Sequence, residues 1–169
     1  MAGVKYYRKM KYIDRLTGVP KQRNYNLMEH SYMVGMLFRH FASIEDVPYD
    51  INIWDMVFNH DIAECVTQDL PYPVKNFNKI TKDSWEAIEE ELLQANPALK
   101  RYGDKELKES MSPRQYALFK MCDILDLLIF VKEEIDLGNN SKEIKEVERN
   151  CFKIINNLEF PFPKIKKYI

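Results

Sequence analysis

The sequence is poor in the residues on which several common classes of phosphate-binding protein depend. Only five glycines occur in 169 residues. Neither GxGxxG nor GxxxxGK followed by Ser or Thr is present, which excludes the two commonest glycine-rich phosphate loops. The net charge is −1, so the chain offers no general positive field to a nucleic-acid polymer or an anionic membrane. A bound phosphate would have to be held locally, by a metal ion and a few cationic side chains.

Cysteines and long apolar runs are also scarce. The three cysteines, Cys65, Cys122 and Cys151, form no pair motif, which favours a reduced, cytoplasmic setting, or the host cytoplasm if the protein is phage-encoded. No apolar run approaches the roughly 18 to 20 residues of a membrane span. The N-terminus, MAGVKYYRKMKY, lacks the apolar segment of a signal peptide. We therefore expect no membrane partner.

The apolar periodicity is helical along almost the whole chain, and no segment alternates convincingly as a strand would. Helices are predicted over 26–43, 50–66, 79–95, from Ser112-Pro113 to about Leu137, and over 141–157. The segment DLPYPVK, 69–75, contains two prolines and is predicted to be a loop. Hydrophobic residues make up 46% of the chain. We expect one all-α domain, residues 1–169, built as a bundle of about six or seven helices.

Two of the three histidines, His30 and His60, are candidate metal ligands. His60 is followed at once by Asp61, and although adjacent helical side chains diverge by about 100°, both can reach one ion near a helix end. Imidazole and carboxylate ligands with open water positions suit a catalytic divalent ion. Glu64 is predicted on the same helix face, where a carboxylate could exchange protons with water beside that ion. His30 lies in a second, mostly apolar helix.

An acid in a later apolar helix could complete this cluster, because a buried carboxylate needs a partner. Two acids qualify from their positions alone. Asp123 lies in ALFKMCDILDLLIF, and Asp126 lies one helical turn later. The spacing leaves both open as the remaining ligand.

Several motifs together resemble a known family. The order His, then His-Asp, then Asp is similar to the metal signature of the HD superfamily. EHS (29–31), HDIAE (60–64), TQDLPYPVK (67–75), and FKMCDILDLL followed by LGNN (137–140) resemble the bacterial HD-domain 5′-deoxyribonucleotidases, with similarity from about Arg15 to Asn140. The resemblance implies an HD-type helical bundle and one divalent ion (Co, Mn, Mg, Zn or Fe). Register with LGNN favours Asp123 over Asp126. The implied metal ligands are His30, His60, Asp61 and Asp123.

The same resemblance implies roles for four more residues. Glu64 would be the catalytic acid/base, and Asp69 would help to order the attacking water or the substrate. Arg23, in an RN element before the first ligand, would contact phosphate, and Lys75 is a further candidate for that contact. Only His40 remains as a spare histidine, which favours a mononuclear centre.

The expected activity is hydrolysis of a deoxynucleotide at its 5′ phosphate, with a monophosphate giving a deoxynucleoside and phosphate. The alternative is a triphosphohydrolase acting on dNTPs such as dATP, as compact phage relatives do. Val19 stands where the family usually has tryptophan, and the stretch between Asn24 and Glu29 is about three residues shorter. A triphosphate would need further cations, for which Arg15, Lys21 and Lys79 are available.

A hypothesis of another class is a non-catalytic HD module that binds a nucleotide. The presence of Glu64 and Asp69 beside all four ligand positions favours the enzyme. Because family members are commonly dimers or larger, the resemblance also implies a homo-oligomer.

Overall fold

The computed structural model describes residues 4–70, 74, 77–97, 99–158 and 162–168. Within these ranges the structure is α-helical, with short 3₁₀ segments and no β-strand; an isolated bridge pairs Asp14 with Asn26. The α-helices described are α1 (Val4–Lys9), α2 (Leu27–Ile44), α3 (Ile51–Phe58), α4 (Glu64–Thr67), α5 (Lys79–Gln94), α6 (Asp104–Ser110), α7 (Pro113–Asp136) and α8 (Lys142–Asn156). The all-α prediction is confirmed. The short helices α1, α4 and α6 were not predicted as separate elements.

Helix starts follow local capping chemistry, and the predicted starts are confirmed to within a residue or two. The Asn26 side chain accepts the backbone N–H of Glu29 at the start of α2. At the start of α7, Ser112 and Gln115 form a reciprocal capping box, with Pro113 in the first turn. Such caps satisfy backbone donors that have no partner within the helix. After α7, Gly138 has a φ of 93°, which suits glycine because it has no Cβ.

Helix α7 lies at the centre of the molecule. It packs against α2 on one side and α8 on another, and α2 also packs against α3. Val34 and Phe38 of α2 meet Leu118 and Leu128 of α7 in the main core, and all four are fully buried. Burial of each such side chain contributes roughly 1.5–3 kcal/mol. The main core therefore joins the two helices that carry His30 and Asp123.

The helix predicted over 50–66 is wrong as a single element. Helix α3 ends at Phe58, a turn covers residues 59–63, and α4 begins at Glu64. Two side chains bind carbonyls of the last turn: Asn59 Nδ2 donates to the Asp55 carbonyl at 2.9 Å, and His60 Nδ1 donates to the Val57 carbonyl at 2.8 Å. Local side-chain bonds of this kind compete with continuation of a helix. Glu64 therefore does not share a helix with His60.

The remaining segments agree with the sequence in part. The loop predicted at 69–75 is described at residues 69, 70 and 74, and Lys75 lies outside the described residues. In the non-periodic C-terminal tail, Phe162 and Ile165 are buried in the main core, and Ile165–Tyr168 form a 3₁₀ turn. No helix in the part of the chain described here has both the length and the apolarity needed to cross a membrane.

Candidate active site

Three parts of the chain bring the predicted metal ligands together. His30 comes from α2, His60 and Asp61 from the turn after α3, and Asp123 from α7. Asp61 Oδ2 lies 3.5 Å from His30 Nε2 and 3.2 Å from His60 Nε2. Asp123 Oδ1 lies 3.3 Å and 3.8 Å from the same two nitrogens. His30, His60 and Asp61 each offer a ligand atom within 4.8 Å of the others, a group that could hold a metal ion.

The hydrogen bonding of the two imidazoles fits a bound cation. Within the described residues, Nε2 of His30 and Nε2 of His60 are both buried and have no hydrogen-bond partner. A buried polar atom without a partner costs about 1–3 kcal/mol. The other ring nitrogens are engaged: Nδ1 of His60 on the Val57 carbonyl, and Nδ1 of His30 on Asp126 at 2.7 Å. Each imidazole is therefore held through Nδ1 and directs Nε2 toward the same space, as metal-binding histidines do.

The charges of this cluster also favour a cation. Burial and Arg15 oppose protonation of His30, yet the nearby carboxylates of Asp123, Asp126 and Asp61 raise the pKa of His30 to about 10. Burial would raise the pKa of Asp61, but His60, His30 and Arg15 hold that pKa well below its ordinary value. The carboxylates thus stay ionised and place excess negative charge around two imidazoles. A divalent ion supplies the positive charge that such a cluster stabilises.

Arg15 enters the site from the segment before α2. Its Nη1 lies 2.7 Å from Asp61 Oδ2 and 3.5 Å from Glu64 Oε2. Burial would lower the pKa of Arg15, but the Glu64 and Asp61 carboxylates raise it well above its ordinary value. The sequence offered Arg15 only as one of several spare cations. Its position at the beginning of the family similarity was the available signal.

Glu64 and Lys120 line one groove with His60 and Asp61. This groove has a volume of about 860 Å³ and runs between the ligand cluster and residues of α5 and α6. Burial and the Asp61 charge raise the pKa of Glu64, whereas Arg15 opposes the rise. Lys120 Nζ lies 3.7 Å from Asp123 Oδ2 and 4.8 Å from the centre of the Phe119 ring. Sequence reasoning missed Lys120, although its spacing of three residues from Asp123 places both on one helix face.

The structure places Arg23 at the far end of α7. Its guanidinium pairs with Glu133 at 2.6 Å and lies 3.7 Å from Glu134. Glu133 is ten residues beyond Asp123, or about 15 Å along the helix axis. The predicted phosphate contact of Arg23 therefore has no support from this geometry and stays a prediction. That of Lys75 also stays a prediction.

Asp69 and Asp126 support the site from outside the ligand cluster. Asp69 Oδ2 accepts the backbone N–H of Leu16 at 3.1 Å, which ties the loop after α4 to the segment that carries Arg15. Asp126 approaches His30 from its Nδ1 side, away from the space between the two Nε2 atoms. Of the two acids that the spacing left open, Asp123 is the one facing this space.

A family model described as YfbR-like 5′-deoxynucleotidases matches residues 4–169. The chain belongs to the YfbR-like family. Two relatives named 5′-deoxynucleotidase YfbR, from Salmonella paratyphi B and Salmonella newport, are each 30% identical to it over 146 residues. The alignments cover 78% of this chain and 72% of each relative. The family resemblance inferred from the motifs is confirmed.

Two solved structures of HD-domain phosphohydrolases share the fold of this chain. An HD-domain phosphohydrolase from Listeria innocua matches with a TM-score of 0.76 and 22% identity, over 92% of this YfbR-like chain and 79% of its own. An HD phosphohydrolase of cyanophage S-2L, bound to dA and one catalytic Zn²⁺ ion, matches with a TM-score of 0.68 and 20% identity, over 93% and 86%. These likenesses confirm the HD-type helical fold.

Proposed function

We propose that this chain is a metal-dependent phosphohydrolase that cleaves the 5′ phosphate from deoxynucleoside monophosphates. The observation that carries the proposal is the pair of buried Nε2 atoms, which have no hydrogen-bond partner among the described residues and face Asp61 and Asp123 beside Arg15 and Glu64. Membership of a 5′-deoxynucleotidase family supports the same activity. The products are a deoxynucleoside and inorganic phosphate.

His30, His60, Asp61 and Asp123 would hold the ion. This set of two imidazoles and two carboxylates suits Zn, Mn, Co or Fe, and leaves Mg possible with more water ligands. When bound, such an ion supplies a Lewis acid for a phosphoryl oxygen and makes water a stronger nucleophile.

Arg15 and Lys120 bind the phosphate from two sides of the ligand cluster. Arg15 touches Asp61 directly, and Lys120 lies within 3.7 Å of Asp123, so both cations are next to where a phosphoryl oxygen would sit. Charge-assisted hydrogen bonds from such cations neutralise the charge that develops on phosphate. Arg23 and Lys75 remain weaker candidates for this contact.

Glu64 moves the proton. As water attacks phosphorus, the bond from phosphorus to the 5′ oxygen breaks, and the leaving oxygen needs a proton. Glu64 is 8% exposed, lines the groove beside His60 and Asp61, and is not in the ligand set. It donates a proton to the leaving oxygen or accepts one from the attacking water. Asp69 holds the Leu16 backbone and, through it, the segment of Arg15, and its role in ordering the attacking water or the substrate stays a prediction.

A dNTP triphosphohydrolase is the second candidate. Besides Lys120, the groove is lined by Lys82, Lys105 and Lys108, which provide cations for a longer phosphate chain. Acids of the same groove wall offset these charges: Lys108 pairs with Asp104 at 2.7 Å, and Lys82 lies 3.7 Å from Glu86. The monophosphate therefore remains our first choice.

A screen of all dNMPs, NMPs and dNTPs with Co, Mn, Mg and Zn tests the proposal, with product identification and an Asp61→Asn preparation as the control for contaminating phosphatase. We expect phosphate release from dNMPs that the control lacks. Release of intact triphosphate from dATP without activity on dNMPs would establish the second candidate instead. Nucleotide binding without turnover under every metal would indicate a non-catalytic module.

Two further predictions complete the proposal. We place the reaction in the cytoplasm, because all three cysteines are free and buried. We also expect a homo-oligomer, as the family resemblance implies. Light scattering on the purified chain measures the oligomeric state.

A further inference from the structure

Two carboxylates on α7 face the two ring nitrogens of His30. Asp123 Oδ1 lies 3.3 Å from Nε2, and Asp126 Oδ2 lies 2.7 Å from Nδ1. A carboxylate that accepts a hydrogen bond at Nδ1 fixes the proton on that nitrogen. Nε2 points toward Asp61 and Asp123, and it is the nitrogen whose lone pair would bind an ion that takes the place of the Nε2 proton.

Tyr25 fixes Asp126 in turn. Its hydroxyl donates to the same Oδ2 atom at 2.7 Å and lies 3.1 Å from His30 Nδ1. The Tyr25 ring is 1% exposed and stacks on Phe130, with ring centres 4.2 Å apart and planes 12° apart. The Tyr25 hydroxyl, the Asp126 carboxylate and the His30 imidazole therefore form one buried, hydrogen-bonded cluster.

We propose that Asp126 and Tyr25 are positioning residues that hold His30 in its metal-binding tautomer and orientation, and thereby set the affinity of the site for its ion. The inference rests on the metal site of the proposed function and deepens it. Neither residue touches the space that the ion or the phosphate would occupy. Loss of a partner of this kind lowers metal affinity roughly 10- to 100-fold.

Tyr25 also connects this cluster to the phosphate side of the site. Its backbone carbonyl accepts the N–H of Arg15 at 2.8 Å, and the Arg15 guanidinium lies 5.8 Å from the centre of its ring. One residue thus contacts both the backbone that presents Arg15 and the acid that orients His30. Removal of the Tyr25 hydroxyl alone should disturb the contact with Asp126 and leave the backbone contact with Arg15 in place.

The test measures Zn²⁺ affinity of the metal-stripped full chain by competition with a chromophoric chelator, and the melting temperature of the metal-free protein. Tyr25→Phe keeps the stacked ring and removes only the hydroxyl. Asp126→Asn keeps an oxygen that can accept from Nδ1, whereas Asp126→Ala does not. Asp123→Ala removes a ligand, and Asp136→Ala is the matched control at an exposed acid of the same helix.

We expect Asp136→Ala to bind Zn²⁺ like the unmodified chain and Tyr25→Phe to bind it less tightly. Asp126→Ala should lose roughly 10- to 100-fold, Asp126→Asn less, and Asp123→Ala more than either. Unchanged affinity in Tyr25→Phe and Asp126→Ala, with altered melting temperature alone, would make their role structural and overturn the inference. So would a loss in Asp126→Ala equal to that in Asp123→Ala, because Asp126 would then be a ligand. If the unmodified chain binds no metal, the proposed function fails first, and this inference fails with it.

Discussion

Replacement of Arg15 by methionine separates its two roles, as a phosphate contact and as a partner of buried acids. The variant keeps the length and apolar stem of the side chain and removes the charge. Arg15 forms ion pairs with two carboxylates, Asp61 at 2.7 Å and Glu64 at 3.5 Å, and its side chain is only 14% exposed. Its loss leaves negative charge uncompensated at a buried site.

The size of each effect follows from that geometry. Breaking a buried ion pair by removing one partner costs about 3–5 kcal/mol, so the metal-free variant should unfold that much more easily. Zinc should restore part of this stability, because Asp61 then gains a cation again and the ion binds only the folded chain. Loss of one charge-assisted bond to phosphate costs about 1.5–3 kcal/mol, which corresponds to a fall in kcat/KM of roughly 10- to 150-fold.

Arg101→Met is the matched control. Arg101 is 47% exposed and its partner Asp55 is 39% exposed, so this pair contributes only about 0–1 kcal/mol, and neither residue lines the groove of the site. We expect Arg101→Met to keep kcat/KM for dNMPs within about twofold. The assays are urea unfolding with and without zinc and phosphate release from dNMPs. Equal losses of activity in the two variants, or wild-type activity in Arg15→Met, would refute the assignment of Arg15.

Three other substitutions test the site and the fold. Glu64→Gln should lower kcat about 10²- to 10⁴-fold with zinc affinity retained, as measured by turnover and metal titration. Gly35→Ala should cost about 1–3 kcal/mol of unfolding free energy, because its Cβ would lie 2.5 Å from Phe58 Cδ2. Burial would raise the pKa of Glu134, but hydrogen bonds from Asn139 and two backbone N–H groups lower it. The stability that Glu134 contributes is therefore full above its ordinary pKa, about 4.5, and is lost as the pH falls below it; Glu134→Gln should flatten this acid dependence in chemical unfolding.

Each of these predictions has a contradicting result. An active Glu64→Gln enzyme with metal bound would remove the proton-transfer role. A Gly35→Ala variant as stable as the parent would mean that the Phe58 ring shifts at no cost. If the unfolding free energy of Glu134→Gln falls below pH 4.5 as steeply as that of the parent, the acid sensitivity comes from other carboxylates.

Local patterns in the sequence were sufficient where the physics is local. Asn26 and Ser112 mark helix starts because a cap bonds to backbone only three residues away. The helix over 50–66 was predicted too long because apolar spacing alone does not show that Asn59 and His60 bond back to carbonyls of the preceding turn. Because the helix breaks at residues 59–63, His60 and Asp61 both contribute to the ligand cluster, with Glu64 close by.

What the sequence determined by itself was the set of residue types and the family: two histidines and two acids in HD order, with an acid at position 64, on an all-helical chain. The tertiary structure decided what surrounds them. Arg15 meets Asp61 across 46 residues of chain, and Tyr25 meets Asp126 across 101. Such contacts have no period and no local motif, because they exist only once distant segments of the chain, α2 and α7 among them, pack together. That packing separates the acid facing the proposed ion, Asp123, from the acid behind the imidazole, Asp126.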